Sequence, residues 1–440
     1  MLFLHIILFS VLFFGAIFLF VRDVKKIIHN IRIGQAINRT DNASQRWLTM
    51  LRVAFGQSKM VVRPVAAIFH FFIYAAFIFT QIELIEIIID GFTGGHRSVW
   101  ELIQNTFLGS IYSCTINTIE ILSVGAFLGT IVFLSRRNIV KLARFQMPEL
   151  KGWPSKDANI ILCMEIYLII CVMLMNSSDL ALQARSLNPQ TFPFYISSMI
   201  EPYLQGLSDG ALQTMEHIGW WGHLIGILGF MVYLPKSKHL HIFMAFPNVY
   251  FSNLNKKGLF KNNESVTREV KLMMDPSAPP PPADAPPAKF GAKDVTDLTW
   301  KQLMDAYSCT ECGRCSSVCP QSTTGKKLSP RKIMMDTRDR LEEIGPKILK
   351  NDGTFNDGKS LLGDYISTEE IWACNTCNAC VDACPVNIDP LSIIMDLRQY
   401  LVMEQSAPPT ELAGMFSNIE NNGAPWQFSA MDRLNWATEE

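Results

Sequence analysis

CTECGRCSSVCP, residues 309–320, decides the architecture, because its spacing returns as CNTCNACVDACP at 374–385. Both runs read C-x2-C-x2-C-x3-C-P. Three thiolates two residues apart on a tight turn reach three irons of one cubane. The fourth, three residues on and entering a helix, points away toward a second cubane. The runs are therefore expected to exchange their last ligands. One [4Fe–4S] cluster takes Cys309, Cys312, Cys315 and Cys384, and the other takes Cys374, Cys377, Cys380 and Cys319. Pro320 and Pro385 start the following segments without needing an amide donor. Structural zinc would use two separated C-x2-C pairs instead. The insert between the runs contains helical stretches such as PRKIMMDTRDRLEEI, so the domain reads as mostly helical.

The rest of the chain is unlike a soluble protein. Of 440 residues, 49% are hydrophobic and only 18% charged, against about 25% charged in soluble domains. The net charge of -1 gives no basic excess, so nucleic acid is not expected as a partner. Eight of eleven cysteines lie between Cys309 and Cys384, a clustering that points to metal rather than disulfides. Cys114, Cys163 and Cys171 sit in or beside apolar segments and read as packing residues.

Five apolar segments, near 2–21, 64–88, 113–135, 159–177 and 215–235, are long enough to cross a bilayer core of about 30 Å. The first lacks a basic leader and a small-residue cleavage site, so it reads as a retained span. Residues 22–63 carry nine Lys/Arg and residues 136–158 carry six, whereas 89–112 and 178–214 carry one each. Basic loops stay in the cytoplasm. The N-terminus is thus expected outside, and everything after about 236 in the cytoplasm. DPSAPPPPADAPPAKF, with seven prolines from Pro276 to Pro287, is expected to be an extended, semi-rigid linker.

Histidines mark the spans. HLIGILGFMVYLPKSKHLH, residues 223–241, begins with one and ends with two. As a continuous helix, the 18 steps from His223 to His241 make five turns and about 27 Å, placing both on one face at opposite depths. His239 would point roughly the other way. That pattern suits haems stacked near the two leaflets. His70, seven residues past Arg63, matches the depth of His241, and the two are expected to ligate one haem b. His223 has no clear partner on the second span. Glu83, Glu86, Glu120 and Glu165 are membrane carboxylates, read either as a proton path or as solvated helix ends.

On RPVAAIFHFFIYAAF (63–77) and residues 223–248, the membrane half resembles the cytochrome b subunit of respiratory nitrate reductases and its relatives in membrane-bound heterodisulfide reductases. On DLTWKQLMDAYSCTECGRCSSVCP (297–320) and TGKKLSPRKI (324–333), the soluble half is similar to the dicluster subunit of heterodisulfide reductases. The resemblance implies five spans, an outward N-terminus and haem-ligating histidines on spans two and five. Two departures matter. Nitrate reductase cytochromes carry a second histidine on span two, where this chain has Thr80. A second haem then stays open, with His5, His217 or His96 as replacement ligands. The family's disulfide chemistry sits on a CCG module, and no CCG occurs here.

The expected architecture is all-α: a five-helix transmembrane cytochrome b bundle (1–245), a connector with the proline run (246–293), a mostly helical dicluster ferredoxin domain (294–402) and a partner-contacting tail (403–440). The expected cofactors are two [4Fe–4S] clusters and haem b, held by His70 and His241 with His223 as the further candidate. The expected function is electron transfer between menaquinone and a separate cytoplasmic CCG-type iron–sulfur or flavoprotein subunit. The expected location is a bacterial inner membrane. The direction of flow is open, including a version that takes electrons from an electron-transfer flavoprotein. A redox sensor or scaffold, needing no haem, is the rival.

Overall fold

A chain inside hydrocarbon must satisfy its own backbone N–H and C=O groups, which favours helices. The computed structural model describes residues 2–260, 262–275, 277, 289–351, 353 and 355–438. Five helices are long and apolar enough to cross a membrane. They are α1 (Leu2–Arg32), α2 (Pro64–Thr93), α3 (Phe107–Asn138), α4 (Trp153–Ala184) and α5 (Asp209–Tyr233). These are the five expected spans. Most overrun their expected limits, because hydropathy registers only the apolar middle while the helix continues through its polar ends. Proline in the first turn opens α2 and α4, where no intrahelical amide is needed. Ser208 caps α5 by accepting from the Ala211 N–H at 3.3 Å.

The five helices close into a ring in chain order, with α1 against both α2 and α5. Small residues set the closest approaches. A Cβ on Gly219 of α5 would lie 2.7 Å from the Met175 nitrogen on α4. Gly222 and Gly226 continue the seam against Tyr167. Between α2 and α3, a Cβ on Gly129 would meet the Phe69 carbonyl oxygen at 3.1 Å. In lipid, where hydrophobic burial does not drive helix association, such backbone proximity supplies the packing energy.

The stretch 223–241 is not one helix, which corrects the same-face argument. α5 ends at Tyr233 and passes into a 3-10 turn over Leu234–Lys236. Ser237 is extended (φ -121, ψ 159) and a second 3-10 turn covers Lys238–Leu240. A new helix, α6, runs His241–Tyr250. Pro235 removes a helical donor. Ser237 Oγ accepts from the His239 N–H at 3.2 Å, and Asp157 of α4 accepts from the Lys238 N–H at 3.1 Å and from the Tyr233 hydroxyl. The break is thus held from three sides.

The sulfur-bearing half packs onto the same end of the ring as the basic loops 22–63 and 136–158. Its main elements are α7 (Trp300–Ser308), α8 (Arg314–Val318), α9 (Pro330–Lys350), α10 (Ala379–Ala383) and α11 (Pro390–Gln399). The insert helix expected from PRKIMMDTRDRLEEI is α9. One continuous core joins the halves: Ile27, Ile31, Leu234 and Leu240 are buried together with Leu303, Ile333, Leu341 and Leu397. Gln35 donates to the Leu298 carbonyl at 2.8 Å and accepts from the Trp300 N–H at 3.1 Å. A Cβ on Gly34 would lie 2.5 Å from the Trp300 nitrogen, so only glycine permits this crossing. Among the described residues no strand forms. The all-α expectation is borne out. The proline run from Pro276 to Pro287 lies outside the described residues, apart from Ser277.

Candidate functional site

The two cysteine runs adopt the same local shape. Glu311 and Thr376, the second residues between the first two cysteines, are left-handed (φ 55 and 53). Gly313 and Asn378, which follow the second cysteine, are left-handed too (φ 69 and 59). Glycine and asparagine tolerate this region best. At Gly313 side-chain room is also lacking, since a Cβ would sit 2.5 Å from the Arg331 guanidinium. The turns aim backbone amides inward: Thr376 N–H donates to Cys374 Sγ at 3.4 Å and Ile388 N–H to Cys384 Sγ at 3.3 Å.

The thiols gather as two quartets. Cys309, Cys312, Cys315 and Cys384 lie close enough to influence one another's charge. Cys319, Cys374, Cys377 and Cys380 line one cavity together with Pro320, Leu328 and Ile394. Each quartet thus borrows its fourth member from the other run. Cys315 also feels Cys380, so the quartets are neighbours. Helices α8 and α10 pack together and bring them side by side. Burial first, then the Glu311 carboxylate and the neighbouring thiols, push Cys309 up to about 12, and burial followed by Cys312 pushes Cys384 up to about 11. Burial likewise pushes Cys380 up to about 12. Thiols raised in this way lose their protons only to a strongly cationic group, and inward amides are what a sulfur-ligated cluster uses. The donor set fits [4Fe–4S] clusters.

The loop of the first quartet rests on the membrane half. Arg314 donates to the Lys59 carbonyl at 3.1 Å and contacts Met60 Sδ. Arg63 donates to Ser317 Oγ at 2.7 Å, and Lys59 Nζ to the Cys384 carbonyl at 3.2 Å. Glu311 pairs with Lys238 and, at 2.9 Å, with Arg338. Arg331, fully buried, is held by Glu149 at 2.8 Å and by the Arg144 carbonyl at 2.7 Å. The second quartet is more open: Cys377 is exposed, unlike the other seven motif cysteines.

At the same end of the ring three histidines meet. His70 on the second turn of α2 is within electrostatic reach of His241 and of Arg314. His239 reaches both His70 and His241, its ring 5.2 Å from that of His241 and 5.0 Å from Phe230. The break after α5 brings His239 into this group, contrary to the outward direction expected from a straight helix. His239 Nε2 lies 3.8 Å from Glu165, whose Oε2 is buried with no partner. His70 Nδ1 faces Gln57 Oε1 at 3.0 Å, and His241 Nδ1 faces the Lys238 carbonyl at 3.1 Å. A backbone carbonyl only accepts, so His241 Nδ1 carries the proton and His241 Nε2 keeps its lone pair. That is how a metal-bound imidazole is oriented. His223 is buried and similarly tied, Nδ1 to the Leu168 carbonyl at 3.1 Å, but it faces α4 well away from this group. The residues therefore fit one haem at His70 and His241.

The far end of the ring is polar and buried. Glu83 and Glu86 are 2% and 1% exposed, so they are not solvated helix ends. Arg97 meets Glu86 at 3.0 Å and Glu83 at 3.5 Å. Tyr112 and the Trp100 N–H also donate to Glu86, and Asn176 accepts from Arg97. Glu120 is filled by the Ile196 N–H at 2.8 Å and by Ser197. His96 sits between Asp179 (3.2 Å) and Glu216 (3.1 Å), which occupies it as an ion-pair partner. His5 packs against Trp220 and Trp221 and is within reach of His217. Thr80 bonds its own helix at Phe77. Cys114 and Cys163 face outward, and only Cys171 is buried packing. Sequence reasoning missed Arg97, whose loop position hid its burial, and the docking pair Lys59 and Arg314.

Fold and thiol quartets define an all-α chain with five helices long and apolar enough to cross a membrane and a donor set for two iron–sulfur clusters. Residues 308–388 match the family described as 4Fe-4S dicluster domain. The chain is similar to the probable iron-sulfur-binding oxidoreductase FadF of Bacillus subtilis, with 29% identity covering 98% of this chain and 61% of the relative. It is similar to EtfAB:quinone oxidoreductase of Syntrophomonas wolfei, with 26% identity over 92% of this chain and 55% of the relative. It is also similar to a subunit of the dihydromethanophenazine:CoB--CoM heterodisulfide reductase of Methanosarcina acetivorans, with 30% identity over 32% of this chain and 35% of the relative. The chain thus spans 61% and 55% of the first two relatives' lengths. No solved structure matches it.

Proposed function

We propose that the chain is the electron-transfer subunit of a membrane-bound, quinone-linked oxidoreductase of heterodisulfide-reductase-like type. Electrons pass between menaquinone, a haem b and two [4Fe–4S] clusters, and on to or from a cytoplasmic partner. Cys309, Cys312, Cys315 and Cys384 would hold one cluster, and Cys374, Cys377, Cys380 and Cys319 the other. His70 and His241 would hold the haem, while His223 has no matching imidazole. Haem and clusters supply one-electron chemistry. The chain's residues position and insulate them. Gln57 and the Lys238 carbonyl orient the two imidazoles. Arg314 and Lys59 fix the first cysteine loop beside them.

One observation carries this reading. His70 lies near both His241 and Arg314, so the imidazole pair and the first thiol quartet are adjacent across the docking interface. A sensor or scaffold needs no such adjacency. The basic loops share that end with the sulfur domain, which supports a cytoplasmic position for it at a bacterial inner membrane. The names of two relatives, an EtfAB:quinone oxidoreductase and a heterodisulfide reductase subunit, support a quinone on one side and a separate redox protein on the other. Within this reading residues 1–245 form the haem domain, 246–293 the connector, 294–402 the dicluster domain and 403–440 a partner-contacting tail.

The test is a reduced-minus-oxidised spectrum of the purified chain, with haem quantified per chain. We expect b-type bands that disappear in His70→Ala and His241→Ala and persist in His223→Ala. Absence of b-type bands in the unaltered protein would overturn the conduit.

A further inference from the structure

Arg63, Arg136 and Arg314 come together where the two halves meet, and among the described residues none of the three has a carboxylate partner. Arg314 stands between Cys312 and Cys315 and is 6% exposed. Its two Nη atoms donate to the Lys59 carbonyl and to Met60 Sδ, both at 3.1 Å. Arg63 donates to Ser317 Oγ, and that hydroxyl donates to the Arg314 carbonyl at 2.8 Å. Arg136, in the last turn of α3, is seven residues past Gly129 and so shares the face that meets α2. It is within electrostatic reach of Arg63 and Arg314, and its Nη1 is buried with no partner. The acids of this border are engaged elsewhere: Glu149 by Arg331, Glu311 by Lys238 and Arg338, Asp157 by Tyr233 and the Lys238 N–H. Cys312 and Cys384 answer part of the Arg314 charge, but the charge beside Arg136 is another arginine.

A buried cation without a counter-charge is costly, and three together repel one another. An arginine fork suits a carboxylate, which it holds through two parallel N–H bonds. His70 tells which carboxylate: it lies two turns past Arg63 on α2 and within reach of Arg314. We infer that Arg63, Arg136 and Arg314 form an anion site for the propionate carboxylates of the haem held by His70 and His241. This rests on the electron-transfer reading above. Arg314 then serves both halves at once. Its backbone belongs to the first cysteine loop and its guanidinium to the haem site, so seating the haem also seats that loop. The arginines donate N–H bonds to the propionate oxygens; no covalent bond changes and no electron moves at this site.

The test compares haem b with its dimethyl ester, which keeps the iron and the macrocycle and lacks both carboxylates. The full chain in detergent, clusters in place, has its haem exchanged for either pigment, and the b-type bands are checked first. Release to excess apomyoglobin then gives a rate of loss. From the unaltered chain the ester should leave at least about tenfold faster than haem b. In Arg136→Gln and in Arg314→Gln haem b should leave faster, and its advantage over the ester should shrink toward about twofold or less. A variant that speeds both pigments equally marks its arginine as packing alone and removes it from the site. Equal release of the two pigments from the unaltered chain, which needs no substitution, overturns the inference while the b-type bands leave the conduit standing. A chain that takes up neither pigment sinks the conduit and this inference together, and the spectrum tells the two cases apart. A lipid phosphate offers the same anionic oxygens, so phospholipid is counted per chain. Loss of a tightly held phospholipid in Arg136→Gln, with equal release of the two pigments, would give the site to a lipid headgroup and overturn the propionate assignment.

Discussion

Lys59 Nζ donates to the carbonyl oxygen of Cys384 at 3.2 Å, which ties a loop between the first two spans to the last cysteine of the second run. The two residues are 325 positions apart. Burial draws the Lys59 amine below its usual range, while the neighbouring Cys384 pulls it back up. A cation held there favours an added electron on the first-quartet cluster. Lys59→Met should therefore lower that cluster's reduction potential by on the order of 50 mV, about 1 kcal/mol for one electron. The second-quartet cluster should move far less. A redox titration followed by EPR measures both, and an unchanged first potential would remove Lys59 from this role.

Cys384 belongs by sequence to the second run and by position to the first quartet. Cys384→Ser should alter or abolish the first-quartet signal and spare the second. Cys319→Ser should do the converse. Low-temperature EPR of each variant, with iron counted per chain, decides. If each serine instead damages the cluster of its own run, the exchange is absent.

His96 joins the loop after α2 to α4 and α5 through Asp179 and Glu216. Burial lowers its affinity for a proton, but the two carboxylates more than reverse this and hold it up to about 10. An unfolded histidine titrates near about 6.5. A folded value above the unfolded one means stability that is complete below about pH 6.5 and lost as pH rises through about 10. Thermal unfolding in detergent should show a gap between the unaltered chain and His96→Gln at pH about 6 that narrows toward pH about 10. A gap independent of pH would show that His96 contributes shape and no charge.

Gly219 permits the closest approach of α5 to α4, with the Met175 nitrogen 2.7 Å from where a Cβ would stand. Backbone atoms there cannot rotate away. Gly219→Val should cost on the order of 3 kcal/mol or more, because the whole helix must retreat. Gly229, with nothing within 4 Å of its Cβ position, should tolerate alanine. Melting temperatures of the two variants give the comparison.

Much of this was legible beforehand, and for identifiable reasons. The cysteine spacing specifies the exchange because left-handed turns at Glu311, Gly313, Thr376 and Asn378 repeat a local geometry. The spans follow from composition alone. The histidines were read only in part. His70 and His241 meet as depth suggested, but through a break after Tyr233 that periodicity does not register. Pro235 was visible; the extended Ser237, the Asp157 contact and the new place of His239 depend on partners far along the chain. Glu83 and Glu86 looked like a helix end because Arg97, which buries them, belongs to a loop with no pattern of its own.

The crossing at Gly34 also constrains how the protein is made. Gln35 pairs with Leu298 and Trp300, and Asn30 donates to the Tyr307 hydroxyl at 2.8 Å across 277 positions. The first helix enters the membrane long before those residues exist. At about 5–20 residues per second of synthesis, its partner strand of backbone is missing for on the order of tens of seconds. During that time the Ile27 and Ile31 face stays uncovered at the membrane edge. The nascent chain thus carries an exposed, sticky landing for its own cysteine-bearing domain, and a ribosome stalled ahead of Leu298 would leave that landing bare for chaperones or proteases to find.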